Sequence, residues 1–68
     1  MYNKIKAAVF IRGLTMGKFY ELTGYDKSTL IRRCHNGKLR VADVKKIKEA
    51  LNLTREEVVS IFFEGELA

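Results

Sequence analysis

One device recurs three times along this chain, and it fixes where helices can begin. An apolar residue is followed by a side chain able to cap a helix, and a second apolar residue stands four positions after the cap. Leu14-Thr15 with Phe19 is the first instance, Tyr25-Asp26 with Leu30 the second, and Leu53-Thr54 with Val58 the third. A Thr or Asp oxygen at such a position accepts an otherwise unpaired first-turn N–H, and the flanking apolar pair closes over it as a hydrophobic staple. The third instance adds Glu57 at the capping-box position. Helices are therefore predicted to start near residues 16, 27 and 55.

The helix ends are marked as clearly. Thr23-Gly24 and Asn36-Gly37 supply glycine where a helix commonly stops in the left-handed conformation. Residues 2–12, YNKIKAAVFIR, place Tyr2, Ile5, Ala8 and Val9 on one helical face, with Phe10 and Ile11 widening it and Gly13 ending it. Residues 41–51 carry Val41, Val44, Ile47, Ala50 and Leu51 at helical spacing, and 55–63 carry Val58, Val59, Ile61, Phe62 and Phe63. The expected fold class is all-α, with five short helices in a single domain over residues 1–68. No strand signal, repeat or linker interrupts it, and the chain has no proline to break a helix.

Composition narrows the setting. A chain of 68 residues is near the lower limit for folding without staples, and its single cysteine, Cys34, excludes an internal disulfide. No apolar stretch is flanked like a signal peptide or long enough to span a bilayer. A reducing cytoplasm is the expected compartment, with no membrane partner. The net charge is +5, but residues 1–40 carry +7 and residues 41–68 carry −2. A basic front of this kind suggests a polyanionic partner, against the alternative of ordinary solvated charge.

The most informative stretch is 15–37, TMGKFYELTGYDKSTLIRRCHNG. It reads as two short helices separated by a tight turn at Gly24-Tyr25-Asp26. The second has an apolar side, Leu30, Ile31 and Cys34, and a polar remainder that includes Lys27, Ser28, Thr29, Arg32, Arg33 and His35. Lys and Arg can bond guanine O6 and N7 in the major groove, and Ser or Thr can bond several base edges or phosphates. An amphipathic surface helix with solvated charges is the plainer alternative. The coincidence of turn, polar face and basic bias counts against it.

These residues resemble a known family. Leu14-Thr15, Phe19, Thr23-Gly24, then Lys27-Ser28-Thr29-Leu30 and Asn36-Gly37-Lys38, are similar to the Cro/CI-type (XRE, lambda-repressor-like) helix-turn-helix of phage repressors. Ala50-Leu51-Asn52-Leu53-Thr54 with Glu56-Glu57-Val58 resembles that family's junction between helices 4 and 5. The resemblance implies a helix-turn-helix formed by helices 2 and 3, and a sequence-specific regulator of transcription that binds double-stranded DNA. It implies base contacts by Lys27, Ser28, Thr29 and Arg32. It implies phosphate contacts by Thr15, Met16 (through its backbone N–H), Asn36, Lys38 and Arg40. Arg33 stands where the family has an apolar residue, and is either a further phosphate contact or a helix-end charge. Tyr20 stands where the family usually has alanine.

The remaining candidates are weaker. Cys34-His35 is a single pair and cannot supply a four-ligand zinc site, so no metal is expected. Cys34 is expected in the core, His35 exposed, and Lys45, Lys46 and Lys48 solvated. No nucleophile–base set or phosphate-binding glycine loop is visible, so neither enzymatic activity nor a cofactor is expected. The tyrosines do not line up as a stacking platform for RNA. The apolar C-terminus suggests a homodimer with Phe62, Phe63 and Leu67 as contacts, matching a palindromic operator. The alternative for Phe62 or Phe63 is closure of the core. A rival function is a protein-interaction module, an antitoxin or anti-repressor built on the same fold.

Overall fold

Thr15, Asp26 and Thr54 begin helices as the staples require. In the computed structural model, which describes residues 1–35, 37 and 39–63, the helices are α1 (Tyr2–Ile11), α2 (Met16–Thr23), α3 (Lys27–His35), α4 (Val41–Leu51) and α5 (Arg55–Val58). No strand occurs among the described residues. Thr15 Oγ1 accepts the Lys18 N–H at 3.1 Å, and Asp26 Oδ1 accepts the Thr29 N–H at 2.7 Å. Thr54 and Glu57 cap one another reciprocally, at 3.2 and 3.0 Å. The second apolar residue of each staple also joins or packs against the core. Phe19 and Leu30 are fully buried, and Val58 packs partly buried against the core beside buried Leu53.

Helices of 8–11 residues are marginal in isolation, so packing must hold them. A single cluster does this. Ile5 and Val9 of α1, Phe19 of α2, Leu30 of α3, and Ile47 and Leu51 of α4 meet Tyr25, Leu53, Ile61 and Phe62. Within it α1 packs on α2 and α3, while α2 packs on α4. The expectation of five short helices is met, although α5 itself contributes only partly buried Val58 to this cluster.

Two details differ from the sequence expectation. α5 is regular only to Val58, and its continuation Val59–Phe63 is a wider π-helical turn. Phe62, expected at a dimer contact, is instead a core residue at 5 % exposure, packed with Ile61 on the inner side of that turn. Phe63 points outward and is 41 % exposed. Leu67 lies outside the described residues.

Polar groups tie the ends together. Arg12 follows α1, and its Nη2 meets both carboxylate oxygens of Glu57 at 2.7 Å. Its Nη1 donates to the Ala8 carbonyl at 3.1 Å and its Nε to the Leu51 carbonyl. One guanidinium thus satisfies carbonyls near the ends of α1 and α4 and anchors α5. Arg12, counted in the basic front, is committed to the fold.

Candidate nucleic-acid interface

The turn between α2 and α3 is held from three sides. Gly24 adopts φ +80°, a left-handed conformation costly for a residue with a side chain, and its N–H donates to the Tyr20 carbonyl at 2.8 Å. Thr23 Oγ1 donates to the Phe19 carbonyl and accepts the Tyr25 N–H. Asp26 then caps α3. Its carboxyl is held below the ordinary range, first by the Thr29 N–H. The Tyr20 hydroxyl lies 3.4 Å from that of Tyr2, fastening α2 to α1. Burial and that contact push the Tyr20 phenol up to about 12.

This frame presents α3 unevenly. Lys27, Ser28 and Arg32 are exposed, while Thr29 is half-buried and gives its N–H to Asp26. Ser28 and Arg32 are four residues apart and so share a helical face. Neither Lys27 nor Arg32 forms an ion pair with a described residue. The opposite side of α3 is anchored by Leu30, with Ile31 and Cys34 half-buried and His35 exposed. Cys34 is less enclosed than expected, although burial still raises its thiol.

The residues expected at phosphates are placed as follows. Thr15 is exposed, and because its oxygen accepts the capping bond, its hydroxyl hydrogen is left to donate outward. Met16 follows it in the first turn of α2, where backbone N–H groups have no intrahelical partner. Arg40 is exposed and immediately precedes α4. Asn36 and Lys38 lie outside the described residues. Gly37, between them, takes the left-handed conformation at φ +62° that its position after α3 suggests.

Arg33, expected as either a phosphate contact or a helix-end charge, has a partner that the sequence did not disclose. Its Nη1 lies 2.8 Å from Asp43 Oδ1, on the first turn of α4. Tyr25 donates its hydroxyl to the same oxygen, and the Arg40 N–H donates to Asp43 Oδ2 at 3.0 Å. Asp43 is 7 % exposed, so three elements converge on one buried carboxylate. Burial works to raise its pKa, but the bonds from Tyr25, Arg40 N–H and Arg33 outweigh it and hold the carboxyl low. The Tyr25 phenol is pushed up to about 12 by burial and by that bond. Hydrogen bonds to a charged group are worth roughly 1.5–3 kcal/mol each. Asp43 is therefore a joint between α3, the turn and α4. Its sequence signal was an acid three residues into α4 with no capping side chain before it.

Arg32, Arg33, Arg40 and Asp43 line an open cleft of about 730 Å³ between α3 and α4. Lys45, Lys46 and Lys48 are exposed as expected, although Lys46 also sits 5.1 Å from the Tyr25 ring centroid. No group of three or more metal-ligating side chains occurs among the described residues. No described helix is long and apolar enough to cross a membrane. No family model, curated protein or solved structure matches the chain.

Proposed function

We propose that this chain is a sequence-specific regulator of the Cro/CI type, in which α3 enters the major groove of double-stranded DNA. The observation that carries the proposal is the exposed set Lys27, Ser28 and Arg32, presented by a helix whose start is fixed by Asp26 and whose other side is anchored by Leu30. Thr15, the N–H of Met16 and Arg40 are the described groups proposed to hold phosphates, with Asn36 and Lys38 joining them. Such contacts set position, and the α3 side chains set sequence preference. A homodimer would place two copies of α3 on neighbouring turns of one groove face. A reducing cytoplasm suits the free Cys34.

Selection of bound duplexes from a random pool tests this function. A recovered palindrome supports dimeric recognition, and recovery of no preferred sequence counts against sequence-specific binding. On the selected duplex, Arg32→Ala is expected to cost about 1–3 kcal/mol and relax preference at one base position. Unchanged affinity and preference would remove Arg32 from the interface.

The rival, a protein-binding module, draws on a different observation. Phe10 is 53 % exposed, Ile11 81 % and Phe63 41 %. Stoichiometric capture of another protein, with no affinity for DNA, would favour it.

A further inference from the structure

We propose that the Asp43 carboxylate stands in for a backbone phosphate and holds Arg33 out of the polyanion contact, so that of the two arginines flanking Asp43 in the α3–α4 cleft, Arg33 and Arg40, only Arg40 is free for a phosphate. The inference rests on the duplex-binding function proposed above.

Three arginines line one open cleft, but they are not equivalent. Arg32 and Arg40 are exposed, and their side chains form no ion pair with a described residue. Arg33 is half-buried, 2.8 Å from a carboxylate oxygen, with its guanidinium 5.7 Å from the Tyr25 ring centroid. A guanidinium pairs with a carboxylate through the same donors it would offer a phosphate. To reach a phosphate, Arg33 would leave Asp43 short of a cation in a site that is only 7 % exposed. The other two partners of Asp43, the Tyr25 hydroxyl and the Arg40 N–H, are neutral and cannot replace that charge.

Removing the Asp43 charge should therefore free Arg33. Lys46 sits over the same Tyr25 ring, and its repulsion of Arg33 would then be unopposed by any acid lining the cleft among the described residues. A freed Arg33 would swing into the cleft and add one phosphate contact. Phosphate contacts carry no sequence information. Asp43 would thus set how tightly the chain holds any duplex, without altering which duplex it prefers.

The salt dependence of binding counts phosphate contacts directly, since log K falls with log salt at about 0.9 per neutralised phosphate. The chain is titrated against a mixed-sequence duplex between about 50 and 200 mM salt, with helical circular dichroism checked for each variant. Arg33→Met is expected to leave the slope unchanged. Asp43→Asn is expected to steepen it by about 0.9. The double variant is expected to return to the wild-type slope.

Three results would overturn the inference. Arg33→Met could flatten the slope, placing Arg33 on a phosphate already; this test stands even if Asp43→Asn fails to fold. A folded Asp43→Asn could keep the wild-type slope. The steeper slope could survive in the double variant, making the effect one of net charge and not of Arg33. A wild-type chain with no salt-dependent duplex binding is a separate outcome, and it removes the proposed function along with this inference.

Discussion

Among the described residues three carboxylates, two phenols and the Cys34 thiol, which burial raises, shape the pH dependence of this fold. Asp43 is held low because bonds from Tyr25, the Arg40 N–H and Arg33 outweigh its burial. Glu57 is held low first by Arg12, and Asp26 first by the Thr29 N–H. Each folded pKa lies below the ordinary value of about 4. Between the two values the unfolded chain binds more protons than the folded one, so stability falls as pH falls. Tyr20 and Tyr25 are raised to about 12, against an ordinary value of about 10. In that window the folded chain keeps protons that the unfolded chain loses, and stability falls as pH rises. The urea midpoint is expected to be level between about pH 5 and 9 and to drop on either side. Tyr25→Phe should soften the alkaline drop. An alkaline limb unchanged in Tyr25→Phe and Tyr20→Phe alike would show that the phenols do not carry it.

At the scale of helices, the starts of α2, α3 and α5 were legible because an N-cap is a local device, complete within about five residues of sequence. The start of α4 matched its apolar period but not through any capping side chain. Arg40 precedes it, and Asp43 reaches back to the Arg40 N–H instead. That bond belongs to a three-element joint, which no local pattern encodes. The orientation of 58–63 was illegible for a different reason. Five of its six residues are apolar, so no polar face marks which of them turn inward. The π-helical turn then places Ile61 and Phe62 in the core and Phe63 outside.

The caps also separate stability from binding. Thr15→Ala and Thr54→Ala each remove one capping bond and should each cost about 1 kcal/mol, lowering Tm by roughly 4–8 °C in a domain of this size. On the proposed interface only Thr15→Ala should also weaken duplex binding, since Thr54 caps α5, away from α3. Parallel melting and anisotropy titrations would show it. Equal binding losses in both variants would mean that binding merely follows stability.

For the whole molecule, the sequence made the five-helix architecture and the exposure of Lys27, Ser28 and Arg32 legible. It did not distinguish Arg32 from Arg33. Adjacent arginines on one helix look alike until the partner element is placed, and here α4 brings a carboxylate to one and none to the other. Phe62 and Phe63 pose the same problem in apolar form, and they carry the test of the proposed dimer. Phe62 is 5 % exposed, so Phe62→Leu should destabilise the chain by about 1–1.5 kcal/mol and leave its oligomeric state alone. Phe63 is 41 % exposed and its ring lies 6.4 Å from that of Phe62, so Phe63→Ser should cost about 1 kcal/mol. If the outward ring is the contact between copies, sedimentation equilibrium should show Phe63→Ser shifted towards monomer at concentrations where the wild type and Phe62→Leu remain paired. Binding to a palindromic duplex should weaken in step, because two linked copies of α3 bind with an avidity that separate copies lack. A wild-type chain that sediments as a monomer, or a Phe63→Ser chain that pairs as the wild type does, would take the outward ring out of any contact between copies.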